Sequence, residues 1–232
     1  MDASGPAARP RGTLYIVATP IGNLEDVTLR ALRILREVAF IACEDTRQTV
    51  KLLNKYGIRN KLVSYYQARE RQKLPGLLQA LEEGRNVALV SDAGTPGVSD
   101  PGFPLVREAV RRGLRVVPVP GPCALTAALS AAGLPTNRFL FLGFPPPKPA
   151  ALKKWLLALR DEEGTMIVYL PARKAGIFLE AVQEVLGDRE IVLARELTKI
   201  HEVFLRGTTR ALLERSDESF FKGELTVLMS GK

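Results

Sequence analysis

Cysteine and histidine are scarce in this chain of 232 residues, which holds two cysteines, Cys43 and Cys123, and a single histidine, His201. Two distant cysteines cannot build the disulfide framework of a small secreted domain. They also lack the clustering of a zinc site, so no metal is expected. Cys43 ends an apolar run and Cys123 sits in a Gly-Pro turn, positions that suit small thiols in a reducing compartment. His201 falls inside a strand-like pattern, which argues against a histidine base. No apolar run approaches the ~20 residues that cross a bilayer, so no membrane span is expected. Residues 1–12 lack the apolar stretch of a signal peptide and carry Pro6 and Pro10. They read as a frayed tail on a cytoplasmic protein. Two phosphate-binding signatures are also missing, the Gly-x-Gly-x-x-Gly turn and the Gly-Lys-Ser/Thr of a P-loop, which disfavours a common dinucleotide or nucleoside triphosphate site.

What the chain does have is apolar substance and positive charge. Hydrophobic residues make up 46%, enough for a packed core, and the net charge of +8 suits a polyanionic partner such as RNA. Short β-branched runs alternate with helical spacings, the pattern of βαβ units. Strands are predicted over residues 14–19, 38–43, 61–64, 86–90 and 115–119. Helices are predicted over 28–37, around Leu74, Leu77, Leu78 and Leu81, and over 105–112 with Gly113 as its cap. A helix rich in small residues follows over 124–132. The second half reads as a strand at 139–142, a stiff proline-rich connection at 145–149, a helix at 153–160, a strand at 165–169 and a helix at 177–186. Three strands then follow, at 191–194, 201–205 and 224–230, with fewer helices between them, which predicts a mixed sheet. The expected organisation is a tail over 1–12, a mainly parallel α/β domain over 13–121, and a second α/β domain over 122–232.

Ligands bind outside the carboxyl ends of the strands in open α/β sheets, and the unusual residues of this chain cluster at those ends. Thr19-Pro20-Ile21-Gly22-Asn23 follows the first strand and Glu44-Asp45-Thr46-Arg47 the second. Ser91-Asp92-Ala93-Gly94-Thr95-Pro96 follows the strand at 86–90 and runs on to Asp100-Pro101-Gly102, while Pro120-Gly121-Pro122-Cys123-Ala124 follows the strand at 115–119. Glycine and proline let backbone approach a ligand closely while holding its shape. Any one such loop is ordinary punctuation; four on one edge make a preorganised cleft floor.

Those motifs, with Leu14–Leu24 and Leu193-Ala194-Arg195-Glu196-Leu197-Thr198-Lys199, resemble the 16S ribosomal RNA ribose-2′-O-methyltransferases of the tetrapyrrole-methylase superfamily. The resemblance spans residues 12–231. It implies two α/β domains with S-adenosylmethionine in a cleft between them, a homodimer, and 16S rRNA or the small ribosomal subunit as partner. The activity it implies is 2′-O-methylation of a cytidine ribose in the decoding region. Carried over by motif, the cofactor contacts would be Pro20, Ile21, Gly22, Asp92, Thr95, Val98, Cys123 and Ala124, then Leu170, Ala194 and Met229 from the second domain. Glu44 or Asp45 would orient the nucleophile and accept its proton, Arg47 would take a phosphate, and Lys199 would lie near the reacting hydroxyl. The plainer alternative for Glu44, Asp45 and Arg47 is an ion-pair and cap network; for Arg195, Glu196 and Lys199 it is a salt bridge at the domain interface. Lys55, Arg59 and Arg69, interleaved with Tyr56, Tyr65 and Tyr66, are the expected RNA contacts.

The chain departs from the family pattern in three places. The stretch after the third strand reads Tyr66-Gln67-Ala68-Arg69-Glu70 where relatives carry His-x-His-Asn-Glu. Tyr169-Leu170-Pro171-Ala172-Arg173-Lys174 stands where they carry Tyr-Glu and a His-Arg pair. No small helical extension follows the last strand. Two other readings remain at this point: a sibling that methylates a tetrapyrrole or other small molecule, and a non-catalytic rRNA-binding assembly protein. The sibling would carry Gly-Asp-Pro where this chain has Gly94-Thr95-Pro96, and would lack Glu-Asp-Thr-Arg.

Overall fold

The computed structural model describes residues 10–215 and 223–232. The chain divides into two compact units, one up to Pro122 and one from Cys123. The first unit is a five-stranded sheet of β1 (Thr13–Val17), β2 (Phe40–Cys43), β3 (Leu62–Ser64), β4 (Val87–Val90) and β5 (Arg115–Val119). The strand order is β3-β2-β4-β1-β5 and every pairing is parallel. Its strands are near-continuous apolar runs because helices cover both faces. On one face α1 (Leu29–Glu37) and α2 (Thr46–Lys55) pack Leu32, Leu35, Leu52 and Leu53 against Val17, Ile41, Cys43 and Val90. On the other, α3 (Glu70–Glu82) and α4 (Phe103–Arg111) pack Leu77, Leu81 and Leu105 against Leu14, Phe40, Ala42 and Leu89. Alternate residues of β2 thus serve opposite cores, as a pleated strand requires.

The second unit carries α5 (Ala124–Ala132), β6 (Phe139–Phe141), α6 (Pro149–Leu157), β7 (Thr165–Pro171), α7 (Ala175–Val185), β8 (Glu190–Arg195), β9 (Val203–Thr208), α8 (Thr209–Glu214) and β10 (Glu224–Met229). Its sheet runs β6-β7-β10-β8-β9; only β6 and β7 are parallel, so the sheet is mixed. Leu156, Phe178, Val182 and Leu212 from α6, α7 and α8 fill one face with Met166, Val168, Leu170, Leu193 and Val227. The small residues of α5 lie against β8 and β10, where Ala128 and Ala132 are buried.

Four details differ from the sequence expectations. α2 was not anticipated: it begins inside a polar motif and shows only three buried positions, Thr49, Leu52 and Leu53, too few to set a period. α3 starts at Glu70, well ahead of Pro75, and carries that proline inside it. α6 starts at Pro149, whose fixed φ and missing N–H suit a first helical position, so the expected stiff connection is shorter. His201 lies in an exposed turn ahead of β9 rather than within a strand. Of the tail, residues 1–9 lie outside the described residues, whereas Gly12 is buried and its N–H donates to the Leu81 carbonyl at 2.7 Å. No helix among the described residues is long and apolar enough to cross a membrane.

Candidate active site at the carboxyl edge of the first sheet

The chain leaves β1 and β2 toward one face of the first sheet and leaves β4, which lies between them, toward the other. Adjacent strands that part in this way open a crevice at their carboxyl ends. The loop after β4 is the hub of that crevice, since every neighbouring loop is tied to it. Thr19 and Gly94 exchange backbone hydrogen bonds, both at 2.9 Å, and the buried Thr19 hydroxyl donates to the Ser91 carbonyl at 3.1 Å. The Thr95 hydroxyl donates to the Pro122 carbonyl at 3.1 Å. The Asp45 N–H donates to Asp92 Oδ1 at 2.8 Å, and the Gly102 N–H donates to Glu70 Oε1 at 2.9 Å.

Two glycines make this lacing possible. Gly94 has φ 84°, a left-handed conformation, and a Cβ there would stand 3.4 Å from Ile21 Cγ2. At Gly121 an added Cβ would come within 3.0 Å of Ala18 Cβ, so the loop after β5 can lie against the end of β1 only without a side chain. Pro20, Ile21, Gly22, Asp92, Thr95 and Val98 all lie in the loops that are laced together at this edge. Ser99, with φ 62°, adds a strained turn in the same loop, a feature that clusters at ligand sites.

Glu44 lies within electrostatic reach of three other carboxylates, Asp45, Asp92 and Asp100, and their surroundings differ. Asp45 caps α2 by accepting the Arg47 N–H at 2.8 Å and pairs with the Arg47 guanidinium at 2.7 Å. The Arg47 hydrogen bonds hold its carboxyl below the ordinary range. Glu44 is the reverse case. Burial first, then the charges of Asp92, Asp100 and Asp45, push its pKa up. Asp100 is raised too, by burial and by Asp92, against a hydrogen bond from Ser91. Environments that push neighbouring carboxyls apart in this way are common at functional sites, which makes this cluster a candidate one. Among the described residues no three or more His, Cys, Asp or Glu side chains converge as a metal-binding set. The ion-pair and cap network holds for Asp45 and Arg47, while the Arg47 side chain remains 86% exposed. Cys43 is a buried free thiol whose pKa burial raises; Cys123 is free and half-buried.

Two positions stand out in the structure that the sequence did not single out as site residues. Asp100, in the Asp-Pro-Gly motif, adds its charge beside Glu44. Glu70, the one residue kept from the family's histidine-rich stretch, fastens α3 to the start of α4 through Gly102.

In the second unit, Lys199 Nζ lies 3.1 Å from both Glu196 Oε1 and Glu224 Oε2. Burial opposes its charge, but the two carboxylates prevail and raise its pKa, so it is a fixed cation within its own unit. The salt bridge expected at a domain interface is an internal one. Its loop is strained, with φ 49° at Glu196 and 64° at Thr198. Leu170, Ala194 and Met229 are all buried in the sheet. Ala194 and Tyr169 pair with the same residue of β10, Thr226, which puts Ala194 near Leu170. Met229 pairs with Met166 and lies about 13 Å away along the strand from the Leu170 row, so it does not join them. Tyr169, in the altered Tyr-Leu-Pro stretch, accepts the Leu125 N–H at 3.1 Å, satisfying a donor in the first turn of α5 that Cys123 does not cap.

The expected RNA contacts do not form one surface. Arg69 sits after β3 on the carboxyl edge; Lys55 ends α2 and Arg59 precedes β3, which places both at the opposite edge. Helix α2, about 15 Å long, separates them from the crevice.

A family model described as Tetrapyrrole (Corrin/Porphyrin) Methylases matches residues 13–213. "Ribosomal RNA small subunit methyltransferase I" of Pseudomonas aeruginosa is 48% identical over 224 residues, covering 95% of this chain and 79% of that protein. The protein of the same name from Thermotoga maritima is 43% identical over 221 residues, covering 95% of this chain and 99% of the relative. Among solved structures, diphthine synthase superposes with a TM-score of 0.71 at 18% identity, covering 94% of this chain and 90% of that one. A cobalt precorrin-4 methyltransferase superposes at 0.68 and 17%, covering 94% of each. These distant structures share the fold; the two sequence relatives match along nearly the whole chain. The chain belongs to the Tetrapyrrole (Corrin/Porphyrin) Methylases and, within them, to the ribosomal RNA small subunit methyltransferase I family.

Proposed function

We propose that this protein is an S-adenosylmethionine-dependent methyltransferase that modifies the 2′-hydroxyl of a cytidine ribose in 16S rRNA. The observation that carries the reading is the split among the carboxylates of the first unit, with Glu44 raised beside a capped Asp45, in a family of rRNA methyltransferases. S-adenosylmethionine, when bound, supplies an electrophilic methyl group on a sulfonium. The glycine-floored edge fits such a ligand: Gly94 and Gly121 bring backbone close together, and Gly97, with no atom within 4 Å of an added Cβ, faces open space. Pro20, Ile21, Gly22, Asp92, Thr95 and Val98 would hold it by shape and backbone, without a cationic clamp.

A ribose hydroxyl attacks well only as its proton leaves, and a positioned base contributes about 10²–10⁴-fold. Glu44 takes that proton; its raised pKa brings it nearer to the proton it must accept. Asp45 keeps α2 and Arg47 in place, and the exposed guanidinium of Arg47 is free to turn its remaining donors to a phosphate. Lys199, locked as a cation, serves electrostatically and never as a base. Cytoplasmic location and a homodimeric state belong to the same proposal, on the strength of the family pattern. Mass spectrometry of 16S rRNA from cells with and without the gene tests it. The reading expects one ribose methyl to disappear with the gene; an unchanged spectrum would refute it.

A further inference from the structure

Four guanidinium–aromatic contacts occur among the described residues, and they divide cleanly by what else the arginine does. Arg85 lies 6.0 Å from the Phe40 ring but is ion-paired to Glu83, and Phe40 is buried. Arg206 lies 5.0 Å from the Phe204 ring but spends its donors on the Ala131 and Ala132 carbonyls that end α5. Arg69 over Tyr66, at 5.7 Å, and Arg107 over Phe103, at 5.2 Å, have no carboxylate partner among the described residues. On the same helix Arg111 and Arg112 are both tied to Glu108, and Arg112 also to Glu82. Arg107, at the middle of α4, has no such ion pair among the described residues.

The two uncommitted pairs are neighbours. Glu70, which follows Arg69, accepts the N–H of Gly102, which precedes Phe103, at 2.9 Å. One hydrogen bond therefore fastens both pairs side by side on the carboxyl edge of the first sheet. Phe103 is 64% exposed at the start of α4, where its ring contributes nothing to either core of the first unit. Other large apolar side chains of the chain are exposed too; what sets Phe103 apart is the unpaired guanidinium at its ring, the aromatic-plus-cation combination that suits a nucleic acid base and its phosphate.

We infer that Tyr66–Arg69 and Phe103–Arg107 form a two-pad platform that stacks unpaired RNA bases flanking the reacting nucleotide. The inference deepens the rRNA reading and rests on it for the identity of the RNA. Each pad offers an aromatic face for a base and a guanidinium for the adjoining phosphate, a pairing characteristic of single-strand recognition. Duplex RNA hides its base faces, so the platform discriminates single strand from duplex. This moves the RNA contact from Lys55 and Arg59 to the edge where Glu44 stands.

The test uses the full-length protein with a short unstructured oligoribonucleotide carrying 2-aminopurine, and with the duplex of the same sequence. Phe103→Ala should weaken single-strand binding roughly ten-fold and abolish the fluorescence quench that stacking produces. Phe103→Trp should restore both. Duplex binding and S-adenosylmethionine affinity should stay at wild-type values in each variant. Tyr66→Ala should act in the same direction, and Arg107→Gln should flatten the salt dependence of single-strand binding. Equal quenching by wild type and Phe103→Ala would overturn the platform. So would single-strand affinity that is unchanged while a ribosomal protein loses its binding to the variant, which would make the patch a protein contact. If the platform behaves as described but rRNA spectra do not depend on the gene, the stacking inference stands and the choice of RNA fails.

Discussion

Glu44 carries a cost that its mutation exposes. Its carboxyl binds a proton more tightly in the folded chain than in the unfolded one, chiefly because burial disfavours the charge. Stability is therefore greatest below the ordinary carboxylate range and falls as pH rises through the raised value. Glu44→Gln removes that loss, so the variant should melt higher than wild type at neutral pH and equally at acid pH, while methylation drops by about 10²–10⁴-fold. Calorimetry across pH, paired with a turnover assay, reads both halves. Asp45 has the opposite sign, since the Arg47 hydrogen bonds lower its pKa. Its contribution is present at neutral pH and is lost as pH falls through the lowered value. Arg47→Ala and Lys199→Ala should each cut methylation strongly without loss of fold, since neither side chain fills a core. Circular dichroism with activity checks this; unfolding of both variants would leave them purely structural salt bridges. At this scale the sequence offered candidate residues but not their surroundings. Glu44 and Asp45 are adjacent, and only the fold shows that Asp45 is paired with an arginine while Glu44 sits half-buried near other acids.

Among the elements, the loop after β4 holds the crevice together. Removing Glu70 breaks the bond that fastens α3 to α4, and a hydrogen bond to a charged group contributes about 1.5–3 kcal/mol. Glu70→Ala should lower unfolding stability by that order in a denaturant titration, with an unchanged value showing that the link is idle. The periodic elements were legible beforehand because each buries one face: α1 through Leu32 and Leu35, and α5 through its small residues over the same bounds the sequence suggests. What was illegible had no period to announce it. Helix α2 hides behind a polar motif, and its direction carries Lys55 away from the crevice, a separation that sequence proximity to Tyr65 and Tyr66 does not reveal. The position of Met229 was illegible in a similar way, because strand pairing fixes its row at Met166 and no motif reveals that register.

For the whole molecule, the net charge of +8 and the spare arginines favour a polyanion, so RNA affinity should fall linearly in logarithm with salt as phosphates release their counterions. Ligand linkage gives an independent check: S-adenosylmethionine at a hundredfold excess over its Kd should add about 2.7 kcal/mol of stability, and no shift in melting temperature would refute the cofactor. The chemistry as a whole is tested most directly by reconstitution. Small ribosomal subunits or 16S rRNA from cells lacking the gene would be incubated with purified protein and methyl-labelled S-adenosylmethionine, then digested to nucleosides and analysed by mass spectrometry. The account predicts label in a single 2′-O-methylcytidine with the wild-type protein and only a trace with Glu44→Gln. Label on a base, or equal ribose labelling by wild type and Glu44→Gln, would contradict it.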